Sequence, residues 1–283
     1  MKRFLTALAL ASIAFSGAAV AKDFKAGSKV RIATEGAYAP WNFTDSSGKL
    51  DGYEVDLYAD LCERMDVQCD LVQAAWEGII PALQAGKFDA IMAGMSITDK
   101  RKEVITFSRS YMGSPASFVV VKSSPLASLS AGMDTISLAD VDAKEKAGLD
   151  AMKAALKGKT VGVQISTTHE NFLNEYMGDT VTVKTYDTQE NLDLDLTAGR
   201  IDAALASLSY WVPLLAGEKG ETMAMVGPKM DGGPFGNGVG AGIRKDDQEL
   251  ADMFTKAIDA AIADGTISKL STKWFGFDGA PKD

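Results

Sequence analysis

The segment LQAGKFDAIMAGMS, residues 83–96, recurs in outline 113 positions later as LTAGRIDAALASLS, residues 196–209. Both copies have a leucine, Ala-Gly, a cation, Asp-Ala, a later alanine and a closing serine at the same places. Each copy indicates a helix that stops at a glycine before a buried strand, because glycine accepts the left-handed conformation beyond a helix end. A good helix stop alone would explain the glycine and the Asp-Ala pair, but not the matching order of elements around both copies. The repeat therefore predicts two similarly wound lobes.

The elements around each copy alternate between strand and helix. In the first half, the apolar spacing predicts strands at 29–34, 67–72 and 88–92, helices at 53–65 and 76–85, and a loop at 35–51. In the second half it predicts strands at 160–164, 181–185 and 201–205 and helices at 168–177 and 188–198. This order predicts an α/β fold in which each lobe is a mostly parallel sheet flanked by helices.

Two extended segments are expected to connect the lobes. The first covers residues 111–122, and the second is the glycine-rich stretch DGGPFGNGVGAGIRK, residues 231–245. Helices predicted at 247–264 and 266–275 would then pack back on the first lobe. The resulting division is a first lobe of residues 22–114 and 238–283 and a second lobe of residues 115–237.

A cleft between hinged lobes is the expected binding site, because ligands of open α/β sheets bind beyond the carboxyl ends of the strands. Ser96 and residues 207–209 would face this cleft from opposite lobes. The glycines at 236–242 read GNGVGAG, which differs from the nucleotide-binding pattern G-x-G-x-x-G and has no helix directly after it. A flexible crossing segment explains these glycines better than a phosphate-binding loop.

The first 21 residues predict a secretory signal peptide. Lys2 and Arg3 precede the apolar stretch 4–20, and cleavage is expected after Ala21. No cysteine lies near that position, so we expect a free exported protein without a lipid anchor. Removing 21 of 283 residues leaves 262, enough for two medium domains, and takes the formal net charge from −9 to −11. An acidic chain without a basic run is a poor partner for nucleic acid or anionic lipid.

The two cysteines, Cys62 and Cys69, favour a disulfide in an exported protein. Two separate buried thiols are the alternative. A metal site is less favoured, because the only histidine is His169 and zinc requires four convergent ligands. We expect no metal and no cofactor.

Two predicted helix starts follow strands of opposite lobes. SITDKR, residues 96–101, has the pattern of an N-cap and brings Arg101, whose guanidinium matches a carboxylate. STTHENF, residues 166–172, has a capping box completed by Glu170. The alternatives are a solvated helix start with a surface arginine and, for His169, a catalytic base rather than a hydrogen-bond donor.

TEGAYAPW, residues 34–41, follows the first strand and carries a carboxylate beside aromatic side chains. Glu35 can meet a cation, and Tyr38, Trp41 and Trp76 can enclose a flat group unless they serve only in packing. With Arg101 as the opposite pole, these residues predict a site for a zwitterion.

The whole mature chain resembles the periplasmic solute-binding proteins of polar amino acid ABC transporters, the group that binds lysine, arginine, ornithine and histidine. The matching stretches are IATEGAYAPWNF, DGYEVDLYADLCERM, GIIPALQAGKFDAIMAGMSITDKR, VGVQISTTHENF, LTAGRIDAALAS and DGTISKLSTKWFGFD. The resemblance implies a venus-flytrap mechanism, a periplasmic monomer and an inner-membrane permease as partner. It also implies the Cys62–Cys69 disulfide, because CERMDVQC matches the spacing in that group.

The resemblance further implies roles for single residues. Arg101 would bind the ligand's α-carboxylate, Glu35 its distal guanidinium or ammonium, and Tyr38 and Trp76 its aliphatic stem. The expected ligand-binding set is Glu35, Tyr38, Trp76, Ala93, Gly94, Met95, Ser96, Arg101, Gln164, Ser166, Thr167, Thr168, His169 and Ser207.

One position departs from the amino acid binders. Ser207 stands where that group has an aspartate for the α-ammonium, and several other stretches, with an insertion at about 124–158, look more like the opine-binding branch. Octopine and nopaline are arginine conjugates whose α-nitrogen is a substituted amine bearing a second acid. A serine at 207, with His169 and Gln164 nearby, could suit the extra carboxylate. The resemblance thus predicts an opine importer subunit. The alternatives are a binding protein for arginine, lysine or ornithine and, on the same fold, a dehydratase that uses Glu35 and His169.

Overall fold

The computed structural model of the chain describes residues 24–113 and 115–282. The predicted signal peptide, residues 1–21, and Ser114, at the predicted lobe boundary, lie outside the described residues. None of the helices in the described ranges is long and apolar enough to span a bilayer.

Strands and helices alternate along most of the chain. The strands are β1 (Lys29–Thr34), β2 (Ala37–Tyr38), β3 (Asn42–Thr44), β4 (Leu50–Asp51), β5 (Gln68–Gln73), β6 (Ala90–Ile91), β7 (Ile105–Phe107), β8 (Ala116–Val121), β9 (Thr135–Ser137), β10 (Thr160–Gln164), β11 (Thr182–Tyr186), β12 (Ala203–Ser207), β13 (Met223–Asp231) and β14 (Gly242–Arg244). The helices are α1 (Tyr53–Arg64), α2 (Ile79–Gln84), α3 (Asp99–Lys102), α4 (Ala143–Leu156), α5 (Thr168–Phe172), α6 (Gln189–Thr197), α7 (Leu208–Ala216), α8 (Lys219–Thr222), α9 (Gln248–Ala263) and α10 (Thr266–Phe275).

The first sheet has the strand order β5-β1-β6-β14-β7. The strands of the predicted β-α-β-α-β unit pair in parallel, since β1 lies between β5 and β6. The later strand β14 is antiparallel to both of its neighbours. The winding predicted from the first repeat copy is therefore confirmed.

The second sheet has the order β11-β10-β12-β8-β13-β9 and repeats this plan. Here β10 pairs in parallel with β11 and β12, while β8 runs antiparallel to β12 and β13. The two sheets and their helices confirm the α/β fold class and the two similarly wound units.

The chain passes from one sheet to the other twice, within residues 108–115 and 232–241. The two passages are bonded to each other: Tyr111 N donates to Val239 O, and Val239 N donates to Met112 O, each at 2.8 Å. Gly236 and Gly238 have φ of +78° and +80°, and a Cβ at either position would come within 2.2 Å of the first passage or the segment before it. Gly238 therefore permits close contact between the passages, and Gly236 permits close contact with Ile97, between β6 and α3. The lobe boundaries at 114/115 and 237/238 stay predictions.

Three segments differ from the sequence-based expectation. The predicted loop 35–51 contains the small antiparallel sheet β2-β3-β4, whose strands are too short to show a period. Helix α2 begins at Ile79 rather than at 76, because Gly78 before it has φ of +83°. The insertion near 124–158 folds into a 3₁₀ turn, strand β9 and helix α4, whose N-cap is Asp142.

The disulfide between Cys62 and Cys69 is present, with a Cα–Cα distance of 6.2 Å. It joins the last turn of α1 to the second residue of β5. This confirms the favoured interpretation of the two cysteines over two separate thiols.

A candidate ligand-binding cavity between the two sheets

A cavity lies between the two sheets. Its walls come from the carboxyl ends of β1, β6, β10 and β12 and from the helix starts that follow. The lining residues are Glu35, Tyr38, Trp76, Ala93, Gly94, Ser96 and Arg101 on the first-sheet side and Gln164, Thr167, Thr168, His169, Gln189 and Ser207 on the second-sheet side.

Two residues of the predicted set do not line the cavity. Met95 is fully buried and packs in the core behind α2 and β6. Ser166 is exposed, and its φ of +60° turns the backbone so that its carbonyl oxygen meets Arg101. The other predicted residues are brought together around one space.

Gln189 is a lining residue that the sequence reasoning missed. It is the first residue of α6, whose N-cap is Thr188. The offset of 113 between the repeat copies maps Trp76 onto Gln189, so the repeat contained the signal. It was missed because the aromatic ring at one position does not indicate that an amide at the equivalent position also lines the cavity.

Glu35 follows β1 and is buried against the second sheet. Gln164 Nε2 donates to Glu35 Oε1 at 2.6 Å and to the Asp187 carbonyl oxygen at 3.1 Å. Burial raises the pKa of Glu35 to about 7, although the Gln164 hydrogen bond acts in the opposite direction. Its recorded hydrogen-bond partner is neutral, so the Glu35 carboxylate can still accept a cation.

Arg101 is held at the opposite pole by the start of α3. Thr98 caps this helix, and the Arg101 guanidinium donates to the carbonyl oxygens of Ser96 at 2.9 Å and Ser166 at 3.3 Å. Burial lowers the pKa of Arg101 to about 10, which leaves it positively charged at neutral pH. The alternative of a solvated surface arginine does not apply, because Arg101 is partly buried and lines the cavity.

Aromatic rings stand between the two poles. The Arg101 guanidinium carbon lies 5.2 Å from the centroid of the Trp76 ring, and Trp76 Nε1 donates to the Ile165 carbonyl oxygen at 3.0 Å. Tyr38 stacks on Tyr210 with a centroid distance of 5.0 Å, and its hydroxyl hydrogen-bonds to Ser207. These rings are held by contacts with the second sheet.

Trp41 does not line the cavity. It has the alternative role that the sequence analysis gives for the aromatic residues, which is packing. It is 1% exposed and packs on Tyr53 and Phe275. Its Nε1 donates to Ser209 Oγ at 3.0 Å, which adds a buried contact between the first core and α7.

We call the first-sheet side of the cavity the first wall and the second-sheet side the second wall. The second wall is built on the start of α5. Thr167 Oγ1 accepts from Glu170 N at 3.2 Å, as the capping box predicts, but the Glu170 carboxylate accepts from Ser166 N at 2.6 Å, one residue before the N-cap, rather than from Thr167 N. This geometry presents Thr168 and His169 in the first helical turn, where backbone N–H groups favour anions.

His169 lies beside Arg101 and packs near Phe235, at 5.8 Å between ring centroids. Burial, and then the charge of Arg101, lowers the pKa of His169 to about 3. An imidazole with this pKa is uncharged at neutral pH and is a weak base. Hydrogen bonding to a ligand therefore fits His169 better than proton abstraction.

A buried carboxylate, Glu54, positions the first wall from behind. Gly94 N donates to Glu54 Oε1 at 2.8 Å, and Asn42 Nδ2 donates to Glu54 Oε2 at 2.7 Å. Asn42 Oδ1 in turn accepts from Gly36 N at 2.8 Å. The network fixes the backbone next to Glu35 and at Gly94 relative to each other.

Among the described residues, the cavity thus offers a cation that donates to carbonyl oxygens and lies over the Trp76 ring, a buried carboxylate with a neutral donor, and aromatic walls between them. In the described ranges, no group of three or more histidine, cysteine or acidic side chains is placed to hold a metal ion. The arrangement can bind a molecule that carries both charges.

Residues 30–277 match the family of bacterial extracellular solute-binding proteins, family 3. The chain belongs to this family. The resemblance seen in the sequence is therefore confirmed for nearly the whole described chain.

Three relatives of this family 3 protein are informative. It is 42% identical over 270 residues to an octopine-binding periplasmic protein of Rhizobium meliloti, covering 89% of this chain and 92% of that one. It is 38% identical over 258 residues to an L-arginine-binding protein of Pseudomonas aeruginosa, and the match covers 90% of this chain and 91% of that one. The third is a periplasmic His/Glu/Gln/Arg/opine family-binding protein from Silicibacter pomeroyi, whose crystal structure was solved in complex with lysine. It has a TM-score of 0.71 and 35% sequence identity to this chain, and the match covers 89% of this chain and 100% of that one. These relatives are binding proteins for amino acids or opines.

Proposed function

We propose that the protein captures an arginine-derived opine of the octopine or nopaline type in the periplasm and delivers it to an inner-membrane ABC permease. The observation that carries the proposal is the pair of poles in one cavity. In the part of the chain that the structure describes, the Arg101 guanidinium donates to carbonyl oxygens, and Glu35 accepts from a neutral donor. A buried charge without an opposite charge is costly, so both groups favour a ligand that supplies one.

In this arrangement the ligand's α-carboxylate meets Arg101 and the N–H groups at the start of α5. Its guanidinium meets Glu35, and its aliphatic stem lies between Tyr38 and Trp76. Each charged group in the lining then binds the ligand, and none of them has to form or break a covalent bond in it.

The preference for an opine over a free amino acid rests on Ser207. It lines the cavity and hydrogen-bonds to Tyr38, so the wall there is uncharged. A primary α-ammonium is best bound by a carboxylate, whereas a substituted amine has fewer protons to satisfy. The 42% identity to an octopine-binding protein supports the same ligand class.

The second carboxylate of an opine needs its own donors. Gln164 is occupied by Glu35 and the Asp187 carbonyl, so it is a poorer candidate than the sequence suggested. His169, next to Arg101 and the first turn of α5, is the better placed donor. A bound carboxylate would also raise the low pKa of His169 by opposing the effect of Arg101.

A thermal-shift panel on the purified mature chain, confirmed by calorimetry, tests this proposal. The ligands are octopine, nopaline, arginine, lysine, ornithine and histidine. At about a hundredfold over Kd, a ligand should stabilise the fold by roughly 2.7 kcal/mol, or about 5–10 °C in Tm. We expect this shift with an opine and a much smaller one with free amino acids.

The Ser207→Asp variant, measured with the same ligands, tests whether position 207 sets the preference. A carboxylate at this position should move the preference toward free arginine, while Ser123→Asp, which adds the same charge at an exposed position of the second sheet's unit, should not. If arginine or lysine shifts the wild-type melt and opines do not, the opine proposal is wrong. The protein is then a basic amino acid binder, which the 38% identity to an L-arginine-binding protein would support.

A further inference from the structure

Asp193 is a buried carboxylate behind the second wall of the cavity, one helical turn after Gln189 in α6. It is 6% exposed and accepts a hydrogen bond from Gln189 Nε2 at 3.1 Å and another from the Tyr210 hydroxyl. Gln189 and Ser207 line the cavity, and Tyr210 stacks on the lining residue Tyr38. Asp193 is thus connected to the wall without touching the space itself.

The partners of Asp193 make its burial hard to explain by packing alone. Both recorded hydrogen-bond donors are neutral, and the charged groups that face it, Lys219 and Glu190, oppose each other in sign. Burial raises the pKa of Asp193 to about 6, so the carboxylate is mostly ionised at neutral pH. Since a buried charge is costly without compensation, a cation close to Gln189 would stabilise this arrangement.

The hydrogen bond to Asp193 also fixes the orientation of the Gln189 amide. Its nitrogen points to the carboxylate, so the amide oxygen is turned away, because an amide oxygen beside a carboxylate would be repelled. Gln189 itself is 2% exposed and lies at the cavity. An acceptor held in this way can receive one proton from a ligand.

We propose that Asp193 is a positioning residue for recognition of the ligand's charged α-nitrogen, with Gln189 as the group that touches it. This inference rests on the proposed function. The resemblance places an aspartate at 207 in the amino acid binders; in this chain the compensating negative charge lies behind the wall, and the Gln189 amide that it orients lines the cavity. One oriented acceptor suits a substituted ammonium better than a primary ammonium, which has three protons to place.

The test compares two ligands that share a guanidinium, an α-carboxylate and a second carboxylate. The α-nitrogen of octopine is a charged secondary amine, whereas that of Nα-succinylarginine is a neutral amide. Kd values are measured by calorimetry for the wild type and for Asp193→Asn. We expect the wild type to prefer octopine and Asp193→Asn to reduce this preference about tenfold.

Two further variants keep the result interpretable. Glu190→Gln removes the same charge from an exposed neighbouring position of α6 and should change the preference less than about twofold. Gln189→Met leaves Asp193 in place and should reduce the preference as Asp193→Asn does, which matters if Asp193→Asn fails to fold. The Tm of each variant separates lost selectivity from lost stability.

An unchanged preference in both Asp193→Asn and Gln189→Met would overturn this inference while leaving opine binding intact. An equal reduction in Glu190→Gln would also overturn it, because general electrostatics would then suffice. If the wild type binds neither ligand, the proposed function fails and this inference fails with it.

Discussion

The two copies of the repeated junction share a backbone plan but differ in the side chains that they bring to the cavity. At the offset of 113, Gly94 corresponds to Ser207, Trp76 to Gln189 and Ser96 to Ser209. Gly94 lies against the ring of Tyr38, and Ser207 hydrogen-bonds to its hydroxyl, so one tyrosine contacts both copies. The repeat therefore sets where the walls are, and the residues at equivalent positions set what each wall recognises.

The aspartate of each copy has the same backbone role in a different environment. Asp89 accepts from Arg31 N in β1 at 3.0 Å, and Asp202 accepts from Thr160 N in β10 at 2.8 Å. Asp89 has 1% side-chain exposure and pairs with Arg31 and Arg244, whereas Asp202 has 37% and meets Lys159 at 3.2 Å. The same clamp between two parallel strands is thus buried in one unit and half-exposed in the other.

The largest expected effect on stability comes from removing the aspartate of each clamp. Asp89→Ala should lower the free energy of unfolding by about 3 kcal/mol, because the charge-assisted hydrogen bonds of a buried carboxylate to Arg31 and Arg244 are lost, although Arg244 keeps its ion pair with Asp247. Asp202→Ala should cost only about 1 kcal/mol, since water replaces most of its interactions. Urea denaturation of both variants measures the difference, and equal losses would mean that burial does not distinguish the two clamps.

The disulfide gives the next largest effect, because it occurs in one unit only. In the first unit Cys62–Cys69 joins α1 to β5 across a separation of seven residues; α5 and β11 of the second unit contain no cysteine. The double variant Cys62→Ser, Cys69→Ser should lose roughly 2–3 kcal/mol by the loop-closure relation. A loss well below about 1 kcal/mol in thermal unfolding would show that the reduced loop is already ordered by α1 and β5.

A change of pH should act on the two walls unequally, because Glu35 belongs to the first and its neutral partner Gln164 to the second. With its pKa near 7, Glu35 loses its charge as the pH falls. The affinity for a ligand with a guanidinium should therefore fall about tenfold between pH 8 and pH 6. Calorimetric titrations with the Glu35→Gln variant should show weaker binding and a flatter pH profile.

The stability of the unliganded protein should change in the opposite direction. The folded pKa of Glu35 is raised above its unfolded value, so the folded state binds more protons in this window and stability rises as the pH is lowered from about 8 toward 5. Glu54 has a pKa of about 7 for the same reason and is still present in Glu35→Gln. The difference between wild type and Glu35→Gln isolates Glu35, and a difference that does not vary with pH would contradict the raised pKa.

The smallest effects test the equivalence of Gly94 and Ser207 at Tyr38. Gly94 has φ of +62°, and an added Cβ would lie at an ordinary 3.6 Å from the tyrosine ring. Gly94→Ala should thus cost about 1 kcal/mol through the backbone alone. Ser207→Ala should cost about 0.5–1 kcal/mol through the lost hydrogen bond. Thermal unfolding would measure both, and a much larger loss in Gly94→Ala would mean that the Tyr38 contact is not ordinary packing.

The sequence predicted those features that depend on local pattern. The helix stops at Gly86 and Gly199, the capping box of Thr167 and Glu170 and the position of Arg101 after a strand can each be read within a few residues. The winding of both units followed from repeating that pattern. Local periodicity and capping are sufficient for this because both are set by neighbouring residues.

The missed features depend on distant residues. Tyr38 and Trp41 are three positions apart in one loop, yet Phe275 at the end of the chain packs on Trp41 and not on the cavity. Gln164 is occupied by Glu35, which is 129 residues earlier in the chain. Asp193 gains its partners from α7 and from its own helix, and its position between Leu192 and Leu194 does not by itself indicate that the carboxylate is buried. Such assignments need the tertiary arrangement.

The bonded pair of passages between the sheets also constrains how the two units can move. Val239 pairs with Ser96 and Met112, and Gly113 N donates to the Gly279 carbonyl oxygen at 3.1 Å, so three distant parts of the chain meet there. Two passages that are hydrogen-bonded to each other cannot change their backbone conformation independently. Because Gly279 is bonded to the first passage, a fluorescent label near Lys282 should stay close to the passages in any relative movement of the two units.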